Sequence, residues 1–212
     1  MYNIMTLNLE DYLLVIWEHT ETFGRISESD ISKRLKISAP TVTEYVSKIE
    51  QMGLIDKKPR EVMLTQAGRK LAIPTVRAHR IAEVFAHRFL EVPWEDVHKA
   101  VMDLEHLFSG AYGDNLFRNL GSPESCPHGN PISVVQPGNS ESVSLLPPGN
   151  YELQRIVFEE YDLLLRLADA SMFPGSRVKL AKDGESVLES ENASVKLSDR
   201  ESLMIHLRKP KV

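Results

Sequence analysis

Cysteine is nearly absent: Cys126 is the one thiol in 212 residues. That excludes an intrachain disulfide and any Cys-x-x-Cys zinc or redox motif, so metal chemistry is expected to use other ligands. No apolar run approaches the roughly 20 residues of a membrane helix. Met1 to Leu9 lacks the basic start, apolar stretch and small-residue cleavage site of a signal peptide, so a cytoplasmic address without membrane contact is expected. Net positive charge is lacking too. At −5, the chain cannot bind nucleic acid through a global basic field, although one local patch can suffice. The rest is ordinary for a globular protein, with 42% hydrophobic and 26% charged residues, and the length suits more than one module.

A local patch is present between Arg25 and Arg60. Arg25, Lys33, Arg34, Lys36, Lys48, Lys57, Lys58 and Arg60 gather there, largely offset by Glu28, Asp30, Glu44, Glu50, Asp56 and Glu61. The same stretch has a helical order. Leu9, Leu13, Ile16 and Trp17 give a first helix over Leu7 to Thr20, closed by Gly24. Ser27 reads as the N-cap of a short second helix, with Asp30 completing an acidic approximation of a capping box. Pro40 suits the first position of a third helix, whose stripe is Val42, Val46, Ile49 and Met52. Leu54-Ile55 and Val62-Met63-Leu64 flank a charged turn and predict a hairpin. A helix, a turn, a second helix and a charged hairpin form the arrangement that places a recognition helix in the major groove. Its readers would be Ser38, Pro40, Thr41, Thr43 and Glu44, with Lys48 and the hairpin's Lys57, Lys58 and Arg60 on phosphates. No bidentate arginine is among the readers, so DNA shape and water should carry part of the specificity.

Thr65 starts a long helical pattern that Pro74 should kink or break near Ile73. Trp94 to Phe108 and Ala111 to Leu120 read as further helices. Gly121 to Gly149 is rich in proline, glycine and serine and reads as a linker. Short strands follow at Tyr151 to Phe158, Arg177 to Leu180, Ser194 to Leu197 and Ser202 to Leu207, consistent with a small β-barrel. His79 and Glu83 are four residues apart and share a helix face. His98, Met102, Glu105 and His106 recur along the next predicted helix. Imidazole, carboxylate and thioether groups on facing helices suit Fe(II), Mn(II) or related ions. Spacing alone leaves open a second reading, in which these are solvated polar faces.

Motifs along the chain sharpen the choice. Glu10-Asp11-Tyr12-Leu13, Ser38-Ala39-Pro40-Thr41-Val42-Thr43, Leu64-Thr65 with Gly68, His79-Arg80 with Glu83, His98, Leu104-Glu105-His106 and Cys126-Pro127-His128-Gly129-Asn130-Pro131-Ile132 together resemble the diphtheria toxin repressor family of iron- and manganese-dependent transcription regulators. The resemblance implies a mainly α fold with small β parts: a winged helix-turn-helix over 1–74, a helical metal-binding and dimerisation domain over 75–135, a linker over 136–150 and an SH3-like β-barrel over 151–212. It implies a primary metal site at Asp11, Met102, Glu105 and His106, and an ancillary site at His79, Glu83 and His98. Glu160 is the residue of the third domain that falls in register with the latter, Glu159 and Asp162 lie nearby, and Leu163 stands where a second polar ligand is expected.

The thioether of Met102 leans the expected cofactor towards Fe2+, with Mn2+ as the alternative. Cys126 and His128 are expected to be structural loop residues and His87 a surface or interface residue. The expected function is an iron-activated repressor of metal-homeostasis genes that binds palindromic operator DNA as a homodimer; a manganese-activated regulator is the alternative. A metallohydrolase using His79, Glu83 and His98 is a more distant rival, since the His-Glu-x-x-His signature and any obvious nucleophile are missing.

Overall fold

The computed structural model describes residues 8–102, 104–133 and 140–210, with the side chains of Glu105 and His106 outside that description. The chain divides into two compact units, Met1–Val76 and Arg77–Val212.

In the first unit, α1 (Leu9–Phe23) starts at a capping box. The Asn8 side chain accepts the N–H groups of Glu10 and Asp11, and the Asp11 carboxylate accepts the Asn8 N–H at 2.7 Å. Backbone donors without an intrahelical partner are thereby satisfied. Gly24 ends the helix at φ 75°, a left-handed conformation that glycine adopts without strain. Ser27 caps α2 (Glu28–Leu35), and Ser38 caps α3 (Ala39–Gln51), which carries Pro40 in its first turn. Val42, Val46 and Ile49 are buried as their stripe predicts, but Met52 is 59% exposed, because α3 has already ended there. Strands β1 (Ile55–Lys58) and β2 (Glu61–Leu64) form the antiparallel wing, with Ile55 opposite Leu64 and Lys58 opposite Glu61. Ile26 extends it by a bridge to Val62. Leu13, Ile16, Ile26, Ile31, Val46 and Val62 are all at most 1% exposed and belong to the core of this unit.

Helix α4 (Gln66–Phe89) runs through Pro74 without the predicted break. Proline removes a single ladder hydrogen bond there, and the buried Ala72, Val76 and Ala78 on the flanking turns show that the helix is held by packing. The predicted Trp94–Phe108 helix is instead three pieces: a 3-10 turn (Trp94–Asp96), α5 (Val97–Val101) and a second 3-10 turn (Glu105–Phe108). Tighter bonds spaced by three residues, Leu104 N–H to Val101 O and Leu107 N–H to Leu104 O, replace the α ladder. Helix α6 (Gly110–Asn119) follows. Ala82 and Ala86 of α4 pack with Val101, while Ile81 and Val84 pack with Leu120, Cys126 and Ile132.

Part of the segment that reads as a linker is an ordered loop. Cys126 N–H donates to Asn130 O and Ile132 N–H to Glu124 O, while Ile156 N–H donates to His128 O. The remaining elements are β3 (Glu141–Ser142), a short 3-10 turn (Val143–Leu145), β4 (Gly149–Ile156), α7 (Tyr161–Asp169), β5 (Arg177–Asp183), β6 (Glu185–Glu189), β7 (Ser194–Leu197), α8 (Asp199–Met204) and β8 (Ile205–Arg208). The six strands order as β3-β8-β4-β5-β6-β7 in an SH3-like sheet whose paired strands are antiparallel. The predicted strand over Ser202 to Leu207 is split, because the Ser198–Glu201 capping box turns its first half into α8.

Gly129 is where the loop meets the sheet most closely. It has φ 84°, and a Cβ there would lie 2.2 Å from Gln154 O. Gly129→Ala is expected to cost about 2 kcal/mol or more, combining left-handed strain with the clash, read as a lower urea midpoint. An unchanged midpoint would show that the loop need not sit against β4.

Candidate metal centre and DNA-binding surface

With Val42, Val46 and Ile49 buried, the opposite face of α3 is turned outwards. Ser38, Pro40, Thr41, Thr43, Glu44 and Lys48 are all exposed there, and Arg60 is exposed at the wing turn. Lys48 is paired with Glu44 at 2.7 Å in solvent, a contact that phosphate can replace. Glu28, which sequence reasoning counted only as an offsetting charge, organises this surface. Its carboxylate accepts the Thr43 hydroxyl at 2.6 Å and pairs with Lys57 at 2.6 Å, joining α2, α3 and the wing. Partial burial pushes the Glu28 carboxyl upwards, but the hydrogen bonds from Lys57 and Thr43 and the Lys57 charge outweigh it and leave the pKa below the ordinary value.

In the second unit the metal-ligand types converge inside the protein. His79 and Glu83 lie one turn apart on α4, His98 on α5, Cys126 and His128 on the docked loop, and Glu159 just after β4. Glu83 and His128 are 0% exposed and His79 is 3% exposed. Two groups of donor atoms form, His79, Glu83, His98 and Glu159 in one and Glu83, Cys126, His128 and Glu159 in the other, with all atoms of a group within 4.8 Å of one another. His79 Nε2 lies 3.0 Å from His98 Nδ1 and 3.4 Å from Glu83 Oε1. Glu83 Oε1 is also 3.5 Å from both His98 Nδ1 and His128 Nδ1. Glu159 reaches His98 Nδ1 at 2.6 Å and His128 Nδ1 at 3.3 Å.

These residues fit a divalent ion on three counts. Two ligand atoms each about 2.0–2.1 Å from one tetrahedral ion lie about 3.3 Å apart, close to most of these separations. Both Glu83 oxygens and His128 Nδ1 are buried without a hydrogen-bond partner, which is costly for polar atoms. The His128 tautomer is set from outside the cluster: Nε2–H donates to Trp94 O at 3.0 Å, so in the neutral ring Nδ1 presents its lone pair to the carboxylates. The same groups shift one another's protonation. Burial opposes charge on Glu83, yet His128, His79 and His98 hold its carboxyl well below the ordinary range. Burial likewise disfavours the His128 cation, yet the Glu159 charge and contacts with Cys126, Glu159 and Glu83 raise its pKa well above the usual value.

The sequence-predicted residues divide as follows. His79, Glu83 and His98 are brought together. Glu160 is not with them: its carboxylate pairs with Arg200 at 2.8 Å, and its neighbour Glu159 turns inwards instead. Leu163 is buried in the α7 core. Cys126 and His128, expected to be structural, stand in the cluster. Their Pro/Gly-rich setting hid this, although the Cys-x-His spacing was a usable signal. Of the predicted primary set, Asp11 is engaged in the α1 cap, Met102 follows α5 as its C-cap residue, and the Glu105 and His106 side chains fall outside the described residues.

Two outcomes follow. A group whose folded pKa is depressed stabilises the fold above its unfolded pKa and loses that contribution as pH falls through the folded value. Glu28→Gln should therefore lose about 0.5–1 kcal/mol near pH 6 and much less near pH 3, read from urea midpoints; an equal loss at both would remove the charge from the explanation. At the metal cluster, Co(II) at about 100 times its dissociation constant stabilises a site by about 2.7 kcal/mol. Glu83→Gln should shrink the rise in thermal midpoint on adding Co(II), and an equal rise would take Glu83 out of the metal centre.

Comparison with known proteins accords with this architecture. Residues 5–62 match the family model described as iron dependent repressor, N-terminal DNA binding domain. Residues 65–133 match the iron dependent repressor, metal binding and dimerisation domain. The chain is 33% identical over 187 residues to the iron-dependent repressor IdeR of Mycobacterium tuberculosis, covering 80% of this chain and 81% of that one. It is 29% identical over 210 residues to the diphtheria toxin repressor of Corynebacterium diphtheriae, covering 90% and 92%. The crystal structure of T. acidophilum IdeR superposes with a TM-score of 0.89 at 27% identity, covering 98% of this chain and all of that one. The chain therefore belongs to the iron-dependent repressor family of metal-dependent DNA-binding regulators.

Proposed function

We propose that this protein is an Fe(II)-activated repressor of metal-homeostasis genes, acting in the cytoplasm as a homodimer on a palindromic operator, and that it has no catalytic role. The observation that carries the metal switch is the buried Glu83 carboxylate, whose Oε1 lies within 3.5 Å of imidazole nitrogens from α4, α5 and the 124–132 loop. The His-Glu-x-x-His signature of a metallohydrolase is missing from the sequence, which supports the reading without catalysis. A bound divalent ion supplies the positive charge that holds carboxylate, imidazole and sulfur donors together. The resemblance supports Asp11, Met102, Glu105 and His106 as the primary, activating ligands and His79, Glu83 and His98 as ancillary ones. In the ancillary role the geometry favours Glu159 over Glu160.

Iron is favoured by sulfur: Met102 is a soft donor that Mn(II) accepts poorly. The names of the mycobacterial relatives point the same way, whereas that of a solved relative, the manganese regulator SloR at 29% identity, points to manganese. No described helix is long and apolar enough to cross a membrane, in keeping with a regulator that meets DNA. Dimer formation is supported by the exposed apolar side chains of Leu107 and Tyr112, 65% and 78% exposed. Lys48, Lys57, Lys58 and Arg60 would contact phosphate while Ser38, Pro40, Thr41 and Thr43 approach bases, with Glu44 releasing Lys48.

The deciding test is anaerobic selection of genomic DNA fragments with excess Fe(II), with excess Mn(II) and with a chelator. Palindromic fragments recovered best with Fe(II) are expected; equal recovery in chelator would remove metal as the switch, and preference for Mn(II) would reverse the assignment of iron. Glu105→Ala or His106→Ala should abolish metal-dependent DNA binding in a folded protein. Lys48→Ala should reduce the salt dependence of operator binding by about one phosphate contact, and an unchanged slope would place Lys48 off the DNA.

A further inference from the structure

The two donor groups in the second unit share Glu83 and Glu159 but differ in everything else. The first adds His79 and His98, a nitrogen and oxygen set; the second adds Cys126 and His128, a set that includes sulfur. The shared carboxylates face both ways. Glu159 presents Oε2 to His98 Nδ1 at 2.6 Å and Oε1 to His128 Nδ1 at 3.3 Å, one oxygen to each group. Glu83 Oε1 stands 3.5 Å from each of the same two nitrogens. Glu159, with an imidazole at each oxygen, is arranged as a two-atom bridge between two ions and Glu83 Oε1 as a one-atom bridge, so that each ion would have two private ligands and two shared ones.

We propose that this cluster binds two divalent transition-metal ions side by side, bridged by Glu83 and Glu159, one held by His79 and His98 and the other by Cys126 and His128. The proposal rests on the reading of the cluster as a metal site, and it is independent of whether metal controls DNA binding.

Charge and access agree with a second ion. Glu83 and Glu159 neutralise one divalent ion, and ionisation of Cys126 supplies a third negative charge for a second. The second ion would bind as the sulfur–hydrogen bond breaks, the thiolate taking the metal and the proton leaving to solvent. Beside Cys126 opens a cleft of about 470 Å³ lined also by His87, Trp94, Pro127 and Phe173, a route for an ion to the sulfur side. The two positions differ in character: the first suits borderline ions such as Fe(II) or Co(II), and the second accepts softer ones as well.

Anaerobic Co(II) titration of the full chain, with bound metal counted after dialysis, tests the pair. Four proteins are compared: wild type, H79Q/H98Q, C126S/H128Q and the quadruple variant. Each double variant should lose one ion and the quadruple variant two. The near-ultraviolet thiolate-to-cobalt absorption should vanish in C126S/H128Q and persist in H79Q/H98Q. Wild-type protein needs no variant to show the bridge: filled with Co(II), it should give an electron paramagnetic resonance signal weakened by spin coupling, and one ordinary signal per ion would contradict the bridge. Loss of a single ion in the quadruple variant would overturn the pair and leave one ion served by both sets of ligands. An unchanged count would overturn the metal reading of the cluster altogether.

Discussion

A carboxylate without exposure to water sets the strongest constraint in the second unit. Glu83 lies in the middle of α4, where an unpaired charge would be prohibitively unfavourable. Its compensation comes from three imidazoles that the chain delivers from α4, α5 and the 124–132 loop. Each delivery has its own structural requirement. His128 depends on Gly129, which alone among residue types lets the loop approach β4, and on Asn130, whose amide donates to Ile156 O at 2.7 Å and to Glu159 Oε1 at 2.9 Å. Trp94 fixes the other side, donating from Nε1 to Pro127 O at 2.9 Å while its carbonyl accepts the His128 Nε2–H. The loop is thus held in place by hydrogen bonds to α5's leading turn and to the sheet, and the cluster is where these elements meet.

The first unit solves a smaller version of the same problem at its surface. Glu28 is partly exposed, and Thr43 and Lys57 suffice to keep it ionised. Its effect is positional: it holds Thr43 of α3 and Lys57 of the wing at fixed places relative to each other. Lys48 is different, since its partner Glu44 is on its own helix and fully in solvent. An exposed pair of this kind contributes little to stability, so Lys48 can exchange Glu44 for phosphate at small cost.

Local signals in the sequence located most of the elements, and tertiary ones escaped it. Ser27, Ser38, Gly24 and Pro40 act through their own backbone, and the helices begin or end where these residues require. The wing was legible because strand and turn chemistry are also local. The long predicted helix from Trp94 to Phe108 was misjudged because periodicity does not register a change from α to 3-10 bonding, and α7 was missed in a stretch read for strands. Within the metal cluster, the i, i+4 pair His79 and Glu83 and the more distant His98 were legible from spacing and resemblance. Glu159 instead of Glu160 was not, because the choice between adjacent residues depends on the path of the chain after β4. Cys126 and His128 were discounted for their proline- and glycine-rich surroundings, yet those residues are what shape the loop that brings the two side chains into the cluster.

The sequence separation of the donors has a thermodynamic consequence. His79, His98, His128 and Glu159 come from segments with no reason to be near one another in an unfolded chain, so an ion that needs them together binds the folded unit and stabilises it by mass action. The stabilisation is shared unequally. Helix α4 and α5 are already joined by the apolar contacts of Ala82, Ala86 and Val101, whereas the loop meets β4 through hydrogen bonds at His128 and Asn130 and the close approach of Gly129. Removing the positive charge from the cluster, whether carried by a proton or by metal, leaves Glu83 and Glu159 facing each other uncompensated. An ion bound by these donors would therefore tie the loop to the helices and to β4 by links that the hydrogen bonds alone do not supply.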